Sequence, residues 1–502
     1  MKKLIANIKS KITEIKMNLI GEELIKIVGS ENFSADTSVL EKYSRDYSLS
    51  PPGRPNYVVW PRNAEEISRI LELANKYQIP VIPVSSRVHF YGATIPKQGG
   101  IIIDLSRHMN RILEVDELNR RVRIEAGVTW KQLVEELKKR GFRIIMPLLP
   151  HPERSVVTDF LEREVPTNTV YDYGEPLQSM EVVWPTGEIF RTGSASVPGY
   201  PDSPSRGANP AGPGIDFYRF LQGAQGTMGI VTWANLKIEY LPKIDKILLA
   251  PVKDLSYIIE FLYRILRLRI GQECLLLNRI NLAIILSEGI DQDFEKLRSL
   301  LPPWTLVLVL SGLQRRPEEK IQYEEEALRN IVKNEFREVQ LGESLLGVLG
   351  AGKKLLKLLR EPWPKETYWK HLYKGGCASV FFITKPVLAP KFISKTQEVA
   401  AKHGYLPEEI GMYIQPIEHN RACHLELNFF YDPKDLDDVE KVRGLCRALY
   451  PILLNEGAFF TRPYGELAKL VYERAGSYAS ILRRLKNIFD PNNIMNPGNL
   501  CF

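Results

Sequence analysis

The run Val81-Ile-Pro-Val-Ser-Ser-Arg-Val-His-Phe-Tyr-Gly92, followed by Ile101-Ile-Ile-Asp-Leu105, decides how the chain is read. Ile79 to Val84 is short, apolar and partly β-branched, the pattern of a buried strand. Pro80 and Pro83 each remove a ladder donor, so this strand is expected to be short or to lie at a sheet edge. Two hydroxyls, an arginine and a glycine then follow without apolar period, and Gly99-Gly100 leads into a second apolar strand. A strand, a tight polar loop and another strand set out a row of backbone N–H groups that can wrap an anion such as a pyrophosphate. A plain surface turn between two strands would read the same way, so the remainder of the chain must decide.

At 502 residues the chain is long enough for two or three domains. Its 44% hydrophobic and 25% charged residues are those of a globular protein with a large core. The net charge of +7 favours anionic partners, but no Arg/Lys cluster is interleaved with aromatics, so nucleic acid is not an expected partner. Cys274, Cys377, Cys423, Cys446 and Cys501 form no CxxC pair, which argues against an iron–sulfur or other metal site and fits a reducing compartment. No apolar run reaches the roughly 18 residues that span a bilayer, and no signal peptide is read, so the cytoplasm is the expected location.

Upstream of the deciding run, residues 1–50 form a helical segment in which Leu4, Ile8, Ile12 and Ile15 share a face among lysines. That face either packs on the body of the protein or meets a membrane surface or partner. Tyr57 to Trp60 reads as a strand, and Asn63 caps a helix running to about Tyr77. Downstream, Arg121 to Glu125 is a strand, Thr129 caps a helix ending near Gly141, Pro147 to Pro152 is irregular, and a short helix starts at Ser155. Ser179 to Trp184 and Glu188 to Thr192 form a hairpin. A Gly/Pro/Ser-rich loop covers Gly193 to Gly214, Ile215 to Leu221 is a helix, and Ile230 to Tyr240 a strand. The texture changes near Leu241-Pro242, where longer strands and helices begin to alternate. The expected division is therefore 51–242, 243–460 and a C-terminal segment 461–502.

Two further strings stand out. Gly223-Ala-Gln-Gly226-Thr-Met-Gly229-Ile-Val-Thr232 pairs close-approach glycines with the start of a strand. Phe489-Asp-Pro-Asn-Asn-Ile-Met-Asn-Pro-Gly498 is distinctive, although Pro and Gly at a helix end explain part of it. With Pro83-x-Ser85-Ser86 and Tyr91-Gly92, Asp104-Leu-Ser-Arg-His-Met-Asn-Arg-Ile-Leu-Glu114, Glu125-Ala-Gly-Val-Thr129 and Ser179-Met-Glu-Val-Val183 to Gly187, these strings occur in an order that resembles the vanillyl-alcohol oxidase/4-cresol dehydrogenase superfamily of FAD-linked oxidoreductases. The 4-alkylphenol-oxidizing branch is the more similar one. Glycolate and D-lactate dehydrogenases belong to the wider family.

The resemblance implies an α+β fold: a PCMH-type (p-cresol methylhydroxylase-type) FAD-binding domain of two subdomains, and a cap domain with an antiparallel sheet over the flavin ring. It implies FAD as cofactor. Pro83, Val84, Ser85, Ser86, Arg87, Val88, His89 and Gly92 would hold the pyrophosphate. Pro147, Ser155, Val156, Thr158 and Asp159 would form a second wall, and Gly226, Gly229, Ile230, Val231 and Asn499 complete the expected contacts. The chain departs from the family where Glu153-Arg154 replaces a Gly-Gly pair, which would narrow the site or salt-bridge a phosphate.

For the reaction, Tyr91 stands where the family's first tyrosine does, and Arg462 where its arginine does, with Thr461 and Tyr464 around it. The acid is Asp172 in an ungapped register, or Glu175 if Tyr173-Gly174 sets it. An arginine suits a phenolate and a carboxylate equally. In His424-Leu-Glu426-Leu-Asn428 the polar side chains share one strand face, so His424 is a candidate for flavin attachment, substrate contact or a structural role. Trp363, Tyr368, Trp369 and Tyr373 read mainly as core. The expected partners are a small-molecule substrate, a para-substituted phenol ahead of a 2-hydroxy acid, and an electron acceptor, either dioxygen or a redox protein. Homo-oligomer and redox-complex subunit are both open assemblies.

Overall fold

A computed structural model describes residues 2–170, 176–197, 209–289 and 293–502. The deciding run builds the first sheet. Strands Tyr57–Val59 and Val81–Val84 both lie parallel to Ile101–Asp104, and Phe33–Ser34 adds antiparallel at the far side. The crossover between the two outer parallel strands is helix Ala64–Tyr77. Asn63 Oδ1 accepts from Glu66 N at 2.9 Å to start it, and Gln78 at φ 50° ends it. Its Ile67, Ile70, Leu71 and Ala74 are fully buried against the sheet.

Val81–Val84 lies at a sheet edge, as its prolines require. That edge is covered by the chain's own C-terminus. Val81 N donates to Ile494 O at 2.7 Å, and Asn496 N donates to Val81 O at 2.8 Å. The returning segment is pinned by a buried lysine, Lys486, which donates to Asp490 Oδ2 at 2.5 Å and to Met495 O at 3.2 Å. The N-terminal helix Lys2–Val28 packs here too, but through Ile20, Leu24 and Val28. Ile15, expected on the packed face, is 67% exposed, and the side chains of Leu4, Ile8 and Ile12 lie outside the described ones.

The second sheet is antiparallel, in the order Ile112–Asp116, Arg121–Glu125, Ile230–Lys237, Leu177–Val183, Ile189–Arg191. The strand expected over 230–240 is broken at Ile238, and Glu239–Tyr240 pairs instead with Phe142–Arg143. The helix expected over 215–221 is a single 3₁₀ turn, Phe217–Phe220. Helix Trp130–Lys139 opens with a full capping box between Thr129 and Gln132, and Ser155 caps helix Val156–Leu161.

The third sheet has six strands, all antiparallel, in the order Ile244–Val252, Trp304–Gly312, Glu273–Asn278, Gly411–Ile417, Ala422–Tyr431, Gly376–Thr384. Four of the six cover the apolar runs that read as strands at 247–251, 306–310, 378–384 and 424–431, and Glu273–Asn278 and Gly411–Ile417 are additional. The outer face packs on helices Leu255–Arg267, Pro317–Asn334, Ala389–Lys402 and Leu436–Asn455. The inner face turns back toward the first two sheets and meets Leu148 and Leu149. Along Ala422–Tyr431, Leu425, Leu427 and Phe429 join the outer core, so the period of two sends His424, Glu426 and Asn428 inward. The class is α+β with antiparallel sheets. Among the described residues no helix is long and apolar enough to cross a membrane.

Candidate active site

A cleft runs between the first and second sheets. The deciding loop supplies Pro83, Val84, Ser85 and His89; the helix capped by Ser155 supplies Thr158 and Leu161, with Glu162 just past its end; the glycine string supplies Gly226, Gly229, Ile230 and Val231. Gly226 has φ +72°, and a Cβ there would stand 2.7 Å from Pro83 Cγ, so only glycine lets the two walls approach. Ser85 and Thr158 hydroxyls join the loop to the opposite wall. Asn496 holds the far end, donating to Ala93 O at 2.8 Å and Gln225 O at 2.7 Å. Gln225 donates to Pro463 O at 2.8 Å, but its Oε1 is buried without a hydrogen-bond partner. His89 is buried, with Nε2 2.6 Å from Ser86 O. Burial, with the nearby Arg154 charge, brings its pKa down to about 3, so the ring is neutral.

The structure redistributes several residues expected in this cleft. Arg87 is exposed and stacks over Tyr43 at 5.5 Å, away from it. Ser86 and Val88 are buried in the loop, and Val88 O accepts from Arg154 Nη1 at 3.0 Å. Gly92 donates to Asp46 at 2.7 Å and lines a different cavity. Ser155 is spent on its cap and on Ala126 O, and Val156 is core. Pro147 and Asp159 face the neighbouring chamber. Asn499 binds Lys97 at 2.8 Å, and Asn496 takes its place on the cleft wall. The signal for Asn496 was present in the Asn-Pro-Gly string, one turn too early for the residue chosen.

The neighbouring chamber lies under the inward face of the six-stranded sheet. Tyr91, Arg154, Glu164, Tyr368, Lys370, His424 and Glu426 all reach it. Tyr91, Arg462 and His424, chosen from three distant segments, are brought together. The Arg462 guanidinium lies 4.2 Å from the Phe381 ring centre and 5.5 Å from that of Tyr91. Tyr91 stacks on Tyr464 at 4.8 Å, and Phe381 stacks on His424 at 5.8 Å. Tyr368 and Trp369 line the chamber, whereas Trp363 is core as expected. On the far side of Tyr91 and Phe381 a larger, mainly apolar cavity of about 590 Å³ adjoins it.

Charges here are paired. Arg462, only 2% exposed, grips Glu164 with both nitrogens, at 2.5 and 2.7 Å. Tyr91 donates to the same carboxylate at 2.9 Å. Burial alone would raise the pKa of Glu164; the charge and hydrogen bonds of Arg462 outweigh it and hold the group at about 2. Burial and the Glu164 charge push Tyr91 well above the usual phenol range, so it stays a donor. Lys370 pairs with Glu426 at 2.6 Å, and His424 Nε2 lies 3.6 Å from the other Glu426 oxygen. Burial would raise Glu426, but Lys370 and His424 keep it well below the carboxylate range. Burial lowers His424, with Glu426 opposing, so its imidazole is neutral at pH 7. Arg154, at the departure from Gly-Gly, pairs with Asp159 and donates to Val88 O. Its Nη2 makes no hydrogen bond, with Glu162 3.7 Å away. Asp172 and Glu175 lie outside the described residues. Glu164 and Lys370 were not anticipated.

Residues 55–193 match the FAD binding domain family, and residues 465–500 match the C-terminal domain of FAD linked oxidases. The chain is 24% identical to the glycolate oxidase subunit GlcD of Bacillus subtilis, over 96% of each chain. It is 25% identical to a probable mitochondrial D-lactate dehydrogenase of Danio rerio, over 94% of this chain and 89% of that one. Among solved structures, 4-ethylphenol oxidase from Gulosibacter chungangensis superposes with a TM-score of 0.82 at 21% identity, over 96% of each chain. p-Cresol methylhydroxylase superposes equally well, at 19% identity over 97% of this chain and 96% of that one. Fold and cleft together define a flavin-dependent oxidoreductase. More narrowly, residues 55–193 and 465–500 carry the two domains of FAD linked oxidases, the fold is that of the PCMH-type FAD-linked oxidoreductases, and the chain is an FAD-linked oxidase or dehydrogenase.

The cleft fits the cofactor. The close pass of Gly226 leaves backbone on the wall, and the unpartnered Gln225 Oε1 offers an acceptor to an adenine-type amino group. Arg154 does not disrupt this wall, because its charge is taken up by Asp159.

Proposed function

We propose that this chain oxidises a para-substituted phenol in the chamber between Tyr91 and the strand Ala422–Tyr431, and passes the electrons on to dioxygen or a redox protein. The observation that carries the reading is the convergence of Tyr91, Phe381 and Tyr464 around Arg462, beside His424. Bound FAD supplies the two-electron acceptor for a C–H bond of the substrate. Tyr91, kept protonated, orients the substrate hydroxyl. His424, a neutral imidazole backed by an ionised Glu426, is placed to take a proton, and Lys370 keeps Glu426 ionised. The aromatic rings of Phe90, Tyr91 and Tyr368 exclude water from the reacting bond. On this reading the residues 51–242 and 461–502 hold the cofactor, and 243–460 form the cap.

A 2-hydroxy acid is the second reading. It is favoured by the nearly full-length likeness to the glycolate oxidase subunit and the D-lactate dehydrogenase. The test is anaerobic mixing of the FAD-loaded chain with 4-ethylphenol, D-lactate or glycolate, read at the flavin absorbance band. Bleaching by the phenol alone is expected. Bleaching by a hydroxy acid alone would replace the first reading with the second.

A further inference from the structure

The residue that reserves the chamber's arginine comes from within the chain. A guanidinium in an aromatic pocket is a seat for an incoming anion, whether phenolate or carboxylate. Here that seat is taken: Arg462, at the wall between the chamber and the larger cavity, has Nη1 2.5 Å from Glu164 Oε1 and donates from Nη2 to Oε2 at 2.7 Å, and Tyr91 donates to the same carboxylate. The other two cations at this wall are taken as well, Lys370 by Glu426 and Arg154 by Asp159. The histidines do not replace them. Burial lowers the pKa of both His151 and His371 to about 4, so both are neutral at pH 7, as is His424.

We propose that Glu164 is a specificity-determining residue: an internal counter-anion that restricts the chamber to substrates entering uncharged, such as a neutral phenol or alcohol, and turns away phenolates and hydroxy-acid carboxylates. The proposal rests on the chamber being the substrate site. An entering anion would have to displace a tethered carboxylate held by a close ion pair and a charged hydrogen bond from Arg462, or be buried with no unpaired cation, and either is costly. A neutral hydroxyl meets no such barrier. Each carboxylate oxygen has about two lone-pair sites. Glu164 Oε2 has one partner, Arg462, and so keeps room to accept from a substrate O–H.

The test is calorimetric titration of the FAD-loaded chain at pH 7 with 4-ethylphenol, uncharged at that pH, and with 4-ethylbenzoate, its carboxylate counterpart. Wild type is expected to bind the phenol at least about tenfold more tightly, and Glu164→Gln to reverse the order by freeing Arg462. Should the variant not accumulate, the wild-type order decides alone. Equal or tighter wild-type binding of 4-ethylbenzoate overturns the counter-anion while leaving the phenol reading standing. Wild type silent to both ligands, with carboxylate capture appearing in Glu164→Gln, supports the counter-anion and counts against the phenol. Silence of both proteins to both ligands overturns the counter-anion, because a freed Arg462 would have captured the carboxylate.

Discussion

The cleft between the first two sheets is walled by backbone and small side chains, Ala93, Ala126, Gly226 and Gly229 among them. The chamber beside it is walled by rings and by charges that are neutralised: Glu164 by Arg462 from the adjoining cavity, Lys370 with Glu426, Arg154 with Asp159. The two lie on either side of Arg154 and Glu162, yet they select by different physics. In the cleft, shape decides: a methyl group in the wrong place closes it. In the chamber, charge pairing decides, and removing one member of a pair leaves the other buried and uncompensated.

The cleft breaks most completely. Gly226→Val puts a Cβ where Pro83 Cγ would be 2.7 Å away, on a backbone at φ +72° that a β-branched residue resists. FAD affinity is expected to fall by about 100-fold or more, a loss of about 2.7 kcal/mol. The flavin-to-protein absorbance ratio after gel filtration, on protein with unchanged circular dichroism, checks it. Retention of full flavin would mean that the cofactor does not pass this turn.

In the chamber the same logic gives an effect that a second substitution reverses. Arg462→Met removes the charge that offsets the burial of Glu164, which is expected to destabilise the fold by about 3–5 kcal/mol. Arg462→Met combined with Glu164→Leu removes both charges and is expected to regain most of that loss. Urea denaturation of the four proteins in the cycle measures the coupling. Additive losses would show that the pair does not act as a unit.

This contrast also explains what could be read from the sequence. The cleft is assembled from contiguous strings, and each string announced itself: the Pro-x-Ser-Ser loop, the Gly223 to Gly229 turn and the Asn-Pro-Gly terminus. The departures there are local: Asn496 lines the cleft where Asn499 does not, and the Arg87 side chain turns to Tyr43. The chamber is assembled across the chain. Glu162-Arg163-Glu164 reads as a solvated helix end until Arg462, 298 residues later, is seen to close on it. His424 was accessible to sequence reasoning because a strand face carrying His, Glu and Asn breaks its apolar period. Lys370 was not, because a lysine beside Trp369 looks like any surface lysine until Glu426 is brought against it. Strand Glu273–Asn278 was passed over for a related reason: Glu273 looks exposed, but it is buried between Arg143 at 3.1 Å and Arg360 at 2.6 Å.

The smallest effect sharpens the comparison at the boundary between the two cavities, where His89 faces the cleft but feels the Arg154 charge of the chamber. Its folded pKa, about 3, lies below the ordinary value of 6.5. The unfolded chain therefore takes up a proton as the pH falls through 6.5, while the folded chain does not until about 3. Stability from this group is complete above 6.5 and declines on acidification toward 3, at up to about 1.4 kcal/mol per pH unit. Glu164 acts in the same direction, but only below 4.5, since its pKa is lowered from that value to about 2. The interval between 4.5 and 6.5 therefore separates the two groups. His151 and His371 titrate there too, but they are common to wild type and variant. His89→Gln keeps a donor at the Nε2 position for Ser86 O and cannot titrate, so its denaturation midpoint should fall less steeply across that interval than the wild type's. Parallel slopes would mean that His89 is protonated or solvated in the folded chain, and that the Arg154 charge does not reach across the wall.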